Sequence, residues 1–251
     1  MKKKVGMIIQ ARMSSTRFPG KVMKKLLNKP MIFRILERVK FCKRIDKLIV
    51  AIPTSKSDDI LYDYLKSIRA NVFRGSENNL LKRYYDTAKK YDLKYIVRLP
   101  ADNPLPDYKE IDRLINFHMK LKNSINPFSS NLQPMQSSKY IDGVGAEIFS
   151  FKMLKLLIKN KHIQKSKEHL SLNFYDFDKD KQMNKKFFEV KYIKAPKSIS
   201  YPNIALDVNY LRQFRLIKKI YKNLYKKRNV FLTKDIIKFL KKNEKKLFKN
   251  N

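Results

Sequence analysis

The 251-residue chain is short of the residues that staple or kink a small protein, with one cysteine (Cys42), five glycines and no tryptophan. A lone cysteine excludes an internal disulfide framework, and no Cys/His cluster has the spacing of a zinc site. No apolar run approaches the roughly 20 residues that cross a bilayer as a helix. The amino-terminal end carries three lysines and then only Val5 to Ile9 before Gln10. That is too short for the apolar core of a secretory signal, so a cytoplasmic chain is expected. Acidic residues are scarce as well, with Asp+Glu 22 against Lys+Arg 58, a formal charge of +36. Such an excess suits polyanions, whether nucleoside triphosphate, nucleic acid or anionic lipid. It equally suits a coding bias toward Lys, Asn, Ile, Tyr and Phe, because the lysines are scattered rather than gathered in one arm. No specific nucleic-acid site is expected on that ground, and peripheral contact with anionic membrane stays open. What is present is a 43% share of hydrophobic residues, enough to bury a core and to exclude a wholly disordered chain.

The first half alternates strand and helix. Val5 to Ile9, Leu48 to Ile52, Val72–Phe73 and Tyr95 to Leu99 read as buried strands. Between them Ile32, Ile35, Leu36 and Val39 follow Pro30 at helical spacing, Ser57 precedes Ile60, Leu61, Tyr64, Leu65 and Ile68, and Ser76 precedes Leu80, Leu81, Tyr84, Tyr85 and Ala88. Asp107 opens a helix through Ile111, Leu114, Ile115 and His118. This order predicts an α/β protein with a mostly parallel central sheet and helices on both faces. Asn123 to Ser138 reads as an irregular loop. Beyond it a strand is expected at Ala146 to Phe149, a helix from Lys152 to Ile158, another helix starting at Ser166, and strands at Phe187 to Ile193 and Asn203 to Val208. From Asn209 onward, 15 Lys/Arg face only Asp235 and Glu244. There Leu211, Phe214, Ile217, Tyr221 and Leu224 mark an amphipathic helix, and Thr233 can cap a last one. The expected division is residues 1–208 as one domain, including an insert around 123–200, and residues 209–251 as basic helices packed on it.

Ligands of such sheets bind at the carboxyl ends of the strands. The loop after the first strand, Gln10-Ala-Arg-Met-Ser-Ser-Thr-Arg-Phe-Pro-Gly-Lys21, supplies Arg12, Arg17 and Lys21 with three consecutive hydroxyls at Ser14, Ser15 and Thr16. Such a loop can surround a polyphosphate; it is not a Walker loop, lacking the glycines and the Lys-Ser/Thr pair. Asp102, between Pro100 and Pro104, follows the fourth strand, and Asp207 ends another apolar run. Two carboxylates meeting at one rim suit magnesium, which takes one or two carboxylates plus substrate phosphates. A turn or helix-capping role for Asp102 is the bland alternative.

Taken together, these segments resemble the spore-coat-polysaccharide type cytidylyltransferases, relatives of the acylneuraminate and 3-deoxy-manno-octulosonate cytidylyltransferases. The opening motif carries the resemblance. Arg74-Gly-Ser-Glu77 follows with Leu81, Arg83 and Tyr84, then Arg98, Asp102 and Pro104, Asp142-Gly143 with Glu147, Glu168-His169, and Leu206-Asp207, in the family's order. The resemblance implies a Rossmann-like, GT-A-like nucleotidyltransferase of three layers that transfers CMP from CTP to a sugar or sugar-like acid and releases pyrophosphate, for surface polysaccharide. Its implied catalytic set is Lys21, Arg12, Asp102 and Asp207, with Asp102 and Asp207 holding Mg²⁺. Gln10, Ala11, Arg12, Ser14, Ser15, Arg17, Lys21, Arg74 and Arg98 are expected on the nucleotide. Arg83, Asp142, Glu147 and His169 are expected on an acidic or phosphorylated acceptor, and a homodimer is implied.

Some roles stay open at this stage. Arg74 suits nucleotide contact or a structural ion pair, and His169 a general base or a structural histidine, whereas His118 and His162 sit on ordinary segments. Ser14 stands where the family usually has glycine, Pro100-Ala101 replace Thr-Gly, and Lys167 stands where arginine is common. None of these removes a cation or carboxylate from the expected site. Two other readings compete. One is a sugar-phosphate nucleotidylyltransferase or glycosyltransferase, against which Asn103 and Pro104 break the expected Asp-x-Asp. The other is a polyanion- or membrane-surface-binding protein without turnover.

Overall fold

Val5–Gln10 is apolar at nearly every position, the pattern of a strand covered on both faces. In the computed structural model, which describes residues 4–132, 138–176, 178–202, 204–226, 230–244 and 247, this segment is strand β1. Met7 and Ile9 pack into one core, and Ile8 packs into the other. The same alternation sends Val50 and Ile52 to the first core and Ile49 and Ala51 to the second, as a side-chain period of two requires.

The main sheet comprises β1 (Val5–Gln10), β2 (Lys47–Pro53), β3 (Val72–Gly75), β4 (Tyr95–Pro100), β5 (Pro127–Ser130), β6 (Glu147–Ser150) and β7 (Glu189–Tyr192). Their order across the sheet is β7-β5-β6-β4-β1-β2-β3. Strand β1 is parallel to β2 and β4, β2 to β3 and β7 to β5, while β6 runs antiparallel to β4 and β5. The chain steps outward from β1 through β2 to β3 and then returns to the far side of β1 as β4. A crevice therefore opens at the carboxyl ends of β1 and β4. Gln10 pairs with Pro100 in register, and the Ala101 N–H donates to the Gln10 carbonyl at 2.9 Å. The two loops that follow leave the sheet side by side.

Helices α1 (Met31–Val39), α2 (Asp59–Ser67), α4 (Tyr108–Met119), α6 (Leu211–Leu224) and α7 (Thr233–Lys242) bury their apolar stripes in the first core, and α3 (Leu80–Lys90) and α5 (Phe151–Lys159) in the second. The result is the expected three-layer α/β sandwich. The basic terminal helices are fastened to it. Phe214, Ile217, Ile220 and Leu240 join the core beside Met7, and the Tyr221 hydroxyl donates to the Pro104 carbonyl at 2.8 Å. No helix among the described residues is long and apolar enough to cross a membrane.

Several expected elements differ. The Asn123–Ser138 stretch, whose residues 133–137 lie outside the described residues, contains strand β5. Its polarity hid it: Ser129 and Ser130 are fully buried because Ser129 Oγ meets His118 Nδ1 at 2.8 Å and Ser130 Oγ accepts the Leu132 N–H. No helix starts at Ser166, whose hydroxyl instead accepts the Glu168 and His169 N–H groups; a 3₁₀ turn follows at Leu170–Asn173. Between 203 and 208, where Asn203 lies outside the described residues, there is an isolated bridge from Ala205 to Asp142 rather than a strand. The caps of α2 and α3 are Asp58 and Asn79, not Ser57 and Ser76. Thr233 is the first residue of α7, and its amide and hydroxyl both bind Asp107 Oδ2 at 2.9 and 2.7 Å. Asp107 Oδ1 meanwhile caps α4 through Lys109 N–H, as expected.

Candidate functional site

The loop after β1 is shaped by its backbone before any side chain is considered. The Ala11 N–H still reaches the Ala51 carbonyl of β2, and the Met13 carbonyl then accepts the N–H groups of Ser15 at 2.9 Å and Gly20 at 3.0 Å. Gly20 sits at φ 65°, a left-handed conformation that glycine adopts without strain. The turn leaves Arg12, Ser14, Thr16 and Arg17 exposed and sends Lys21 inward, where it is 8% exposed. These residues wall a cleft of about 500 Å³, together with Gln10, Ala11, Ser15, Arg83, Arg98, Asp102, Glu168 and His169.

Lys21 joins the three segments. Its Nζ donates to Asp102 Oδ2 at 3.0 Å and to the Val208 carbonyl at 2.7 Å. The Val208 N–H donates to the Asp102 carbonyl at 2.7 Å. An ammonium has three donors, so one proton is left for the cleft. Asp207 lies next to this knot and accepts from the Asn209 side chain, while Arg17 Nη2 donates to Asn209 Oδ1 at 2.8 Å. Burial holds the Asp207 carboxyl above the usual carboxylate range, and the Asp102 charge adds to this against the pull of Lys21 and Arg17. Asp142 approaches from behind: its N–H donates to the Ile204 carbonyl and its carbonyl accepts the Leu206 N–H. Burial, and then the charge of Asp207, push its carboxyl up to about 7. Three carboxyls thus crowd one edge of the cleft, although Asp142 and Asp207 stand behind its walls rather than among the residues that line it.

Beneath the floor lies a second network. Arg98 Nη1 donates to Glu147 Oε2 at 2.6 Å and to Ser171 Oγ at 2.8 Å, and its Nε donates to Gln10 Oε1 at 3.1 Å. The Tyr84 hydroxyl donates to the same Gln10 oxygen at 3.0 Å. Arg98 lines the cleft, but Glu147 is fully buried. The expectation that Glu147 borders an acceptor pocket fails on that burial, and the residue instead fixes Arg98.

Arg74 is also placed away from the cleft. Its guanidinium meets Asp59 Oδ1 at 2.6 Å and the Pro53 and Ser55 carbonyls, and lies over Tyr62. This is the structural ion pair of the two roles open to it, and nucleotide contact is withdrawn. Arg83 does line the cleft; it is 3% exposed and its Nε has no hydrogen-bond partner. His169 is exposed and also lines the cleft, whereas His118 and His162 sit elsewhere in ring contacts with Tyr95 and Phe187. Sequence reasoning missed Asn209, two residues past Asp207, and Asp58, whose carboxylate accepts the Met13 N–H at 2.7 Å. Asn209 carried a readable signal, a polar residue at the end of the same segment, whereas Asp58 resembles any helix-capping aspartate.

A sequence profile described as cytidylyltransferase matches residues 7–248. The chain is 32% identical to an uncharacterized protein of Methanocaldococcus jannaschii over 94% of this chain and 90% of that one. It is 28% identical to the spore coat polysaccharide biosynthesis protein SpsF of Bacillus subtilis, over 85% of each. The structure of a cytidylyltransferase from Leptospira borgpetersenii superposes with a TM-score of 0.83 at 29% identity, covering 100% of this chain and 98% of that one. A CMP:2-keto-3-deoxy-manno-octonic acid synthetase shares the fold at a TM-score of 0.63 and 12% identity, over 88% and 100% of the two chains. With a Lys21-centred cleft at the switch point of such a sheet, and a match that runs nearly end to end, the chain belongs to the cytidylyltransferase family and is a CTP-dependent nucleotidyltransferase.

Proposed function

We propose that the enzyme transfers CMP from CTP to an acidic or phosphorylated sugar-like acceptor, with release of pyrophosphate, in the making of surface polysaccharide. The observation that carries this reading is the placement of Lys21 Nζ, which touches both Asp102 and the backbone next to Asp207. Attack on the α-phosphorus of a tetra-anion meets strong repulsion, and the departing pyrophosphate gains charge. Fixed cations aimed at the outer phosphates relieve both difficulties because they need no reorganisation during the reaction. Arg12, Arg17 and Lys21 supply them, with Ser14, Ser15 and Thr16 as hydroxyl donors along the same loop. We assign the part of the cleft lined by Glu168 and His169 to the acceptor.

The donor set at the cleft edge fits magnesium. The charge of Asp102 helps hold the Asp207 carboxyl above the usual carboxylate range, and both residues offer hard oxygen. Among the described residues no group of three or more His, Cys, Asp or Glu could hold a metal by itself. A cation here would therefore complete its shell with phosphate oxygens and water, which magnesium prefers. Asp102 and Asp207 would hold it, and when bound it would polarise the phosphoryl oxygens as a Lewis acid.

The test is a pyrophosphate-release assay with CTP, and with other nucleoside triphosphates as controls, against a panel of acidic and phosphorylated sugars. The expected result is release that needs CTP and one acceptor class. Turnover of UDP-sugars, or salt-sensitive binding of DNA or anionic vesicles with no release for any pair, would contradict the proposal.

A further inference from the structure

Asp58 sits at the amino end of α2, one strand over from the loop that carries the cations, and is fully buried. Its side chain makes no capping hydrogen bond to its own helix; Oδ1 accepts the Met13 N–H at 2.7 Å. Met13 is the knot of that loop, because its carbonyl gathers both Ser15 and Gly20, and Gly20 directly precedes Lys21. Asp58 therefore reaches Gly20, the residue before Lys21, through two hydrogen bonds, one from the Met13 N–H to its carboxylate and one from the Gly20 N–H to the Met13 carbonyl. The site is unfavourable for a carboxylate. Burial pushes its pKa up, opposed by the Met13 N–H and by Arg83 and Arg74, with Glu77 adding to the rise. Oδ2 has no hydrogen-bond partner, and neither has Nε of the buried Arg83. A buried, half-satisfied charge destabilises a fold, so a contribution to stability does not account for this carboxylate. Its position accounts for it better: its acceptor oxygen ties the loop to the start of α2.

We propose that Asp58 is a positioning residue of the nucleotide site, holding the Met13 amide and so presetting the loop from Arg12 to Lys21 before triphosphate arrives. This rests on the assignment of that loop to the triphosphate of CTP. The test compares Asp58→Ala, which removes the acceptor, with Asp58→Asn, whose amide oxygen still accepts the Met13 N–H. Asp58→Ala should raise KM for CTP at least tenfold, with kcat within threefold and KM for the acceptor unchanged; Asp58→Asn should stay within threefold throughout. A purely structural role would lower kcat in proportion to the folded fraction and leave KM for CTP alone, and that result would overturn the proposal. Amide hydrogen exchange on the wild-type chain provides a readout that involves no nucleotide and needs no folded alanine variant. Met13 should exchange far more slowly than the exposed Thr16. Equal rates would remove the anchor whatever the substrate is, whereas a protected Met13 amide in a chain that never turns over CTP would count against the functional reading alone.

Discussion

The Arg98–Glu147 pair shows how a residue can matter to a cleft without touching what enters it. The Arg98 side chain is 12% exposed and the Glu147 side chain 0% exposed. Ser171 Oγ donates to the Glu147 carboxylate at 2.8 Å, so both charges are paired and hydrogen-bonded. Removing one partner of a buried pair leaves the other uncompensated, at a cost of about 3–5 kcal/mol. Glu147→Ala should therefore lower unfolding free energy by that amount in urea denaturation, and a loss below about 1 kcal/mol would show that Arg98 finds water or another partner. Glu147 was recognisable in the sequence as important. Its burial was not, because a charged residue at a strand start reads as exposed until the antiparallel pairing with Arg98 turns it under the floor.

At the scale of elements, the segment that delivers Asp207 is held by close backbone approach rather than by a ladder. Gly143 adopts φ +86°, and a Cβ there would lie 2.7 Å from both the Asp207 nitrogen and the Leu206 carbonyl carbon. Backbone atoms cannot swing aside as a flexible side chain can. Gly143→Ala should then destabilise the fold by more than about 1 kcal/mol and weaken the response of activity to Mg²⁺ by displacing Asp207. A variant with wild-type urea midpoint and wild-type magnesium titration would contradict this.

Elements differed in how plainly they could be read. Strands β1, β2 and β4 were legible because sheets covered on both faces need near-continuous apolar runs. Strand β5 was not, because Phe128-Ser129-Ser130 buries serines whose hydroxyls are satisfied inside the fold, Ser129 by His118 of α4 and Ser130 by the Leu132 N–H. The turn at Ser166 was misread as a helix start because a serine that caps and a serine that folds back on its neighbours look alike in sequence. The loop from Arg12 to Lys21 and Asp102 were legible since both follow buried strands. Asp58 was not, since its partner Met13 lies 45 residues away.

For the whole molecule, the excess of lysine and arginine is spread over an outer face that includes α6 and α7, yet at the cleft it meets a knot of acid. Asp102, Asp142 and Asp207 converge from three distant parts of the chain, and Lys21 occupies the junction. A basic exterior draws in a polyanion, and under the proposed function the carboxylates would distinguish a nucleotide that arrives with a divalent cation from one that arrives bare. The most direct test is calorimetric titration of CTP with and without Mg²⁺ into the wild-type protein and into Asp102→Asn and Asp207→Asn. Magnesium should tighten CTP binding to the wild type at least tenfold, and each substitution should erase most of that gain while circular dichroism stays unchanged. A magnesium enhancement that survives intact in both variants would contradict the convergence of these carboxylates on the nucleotide.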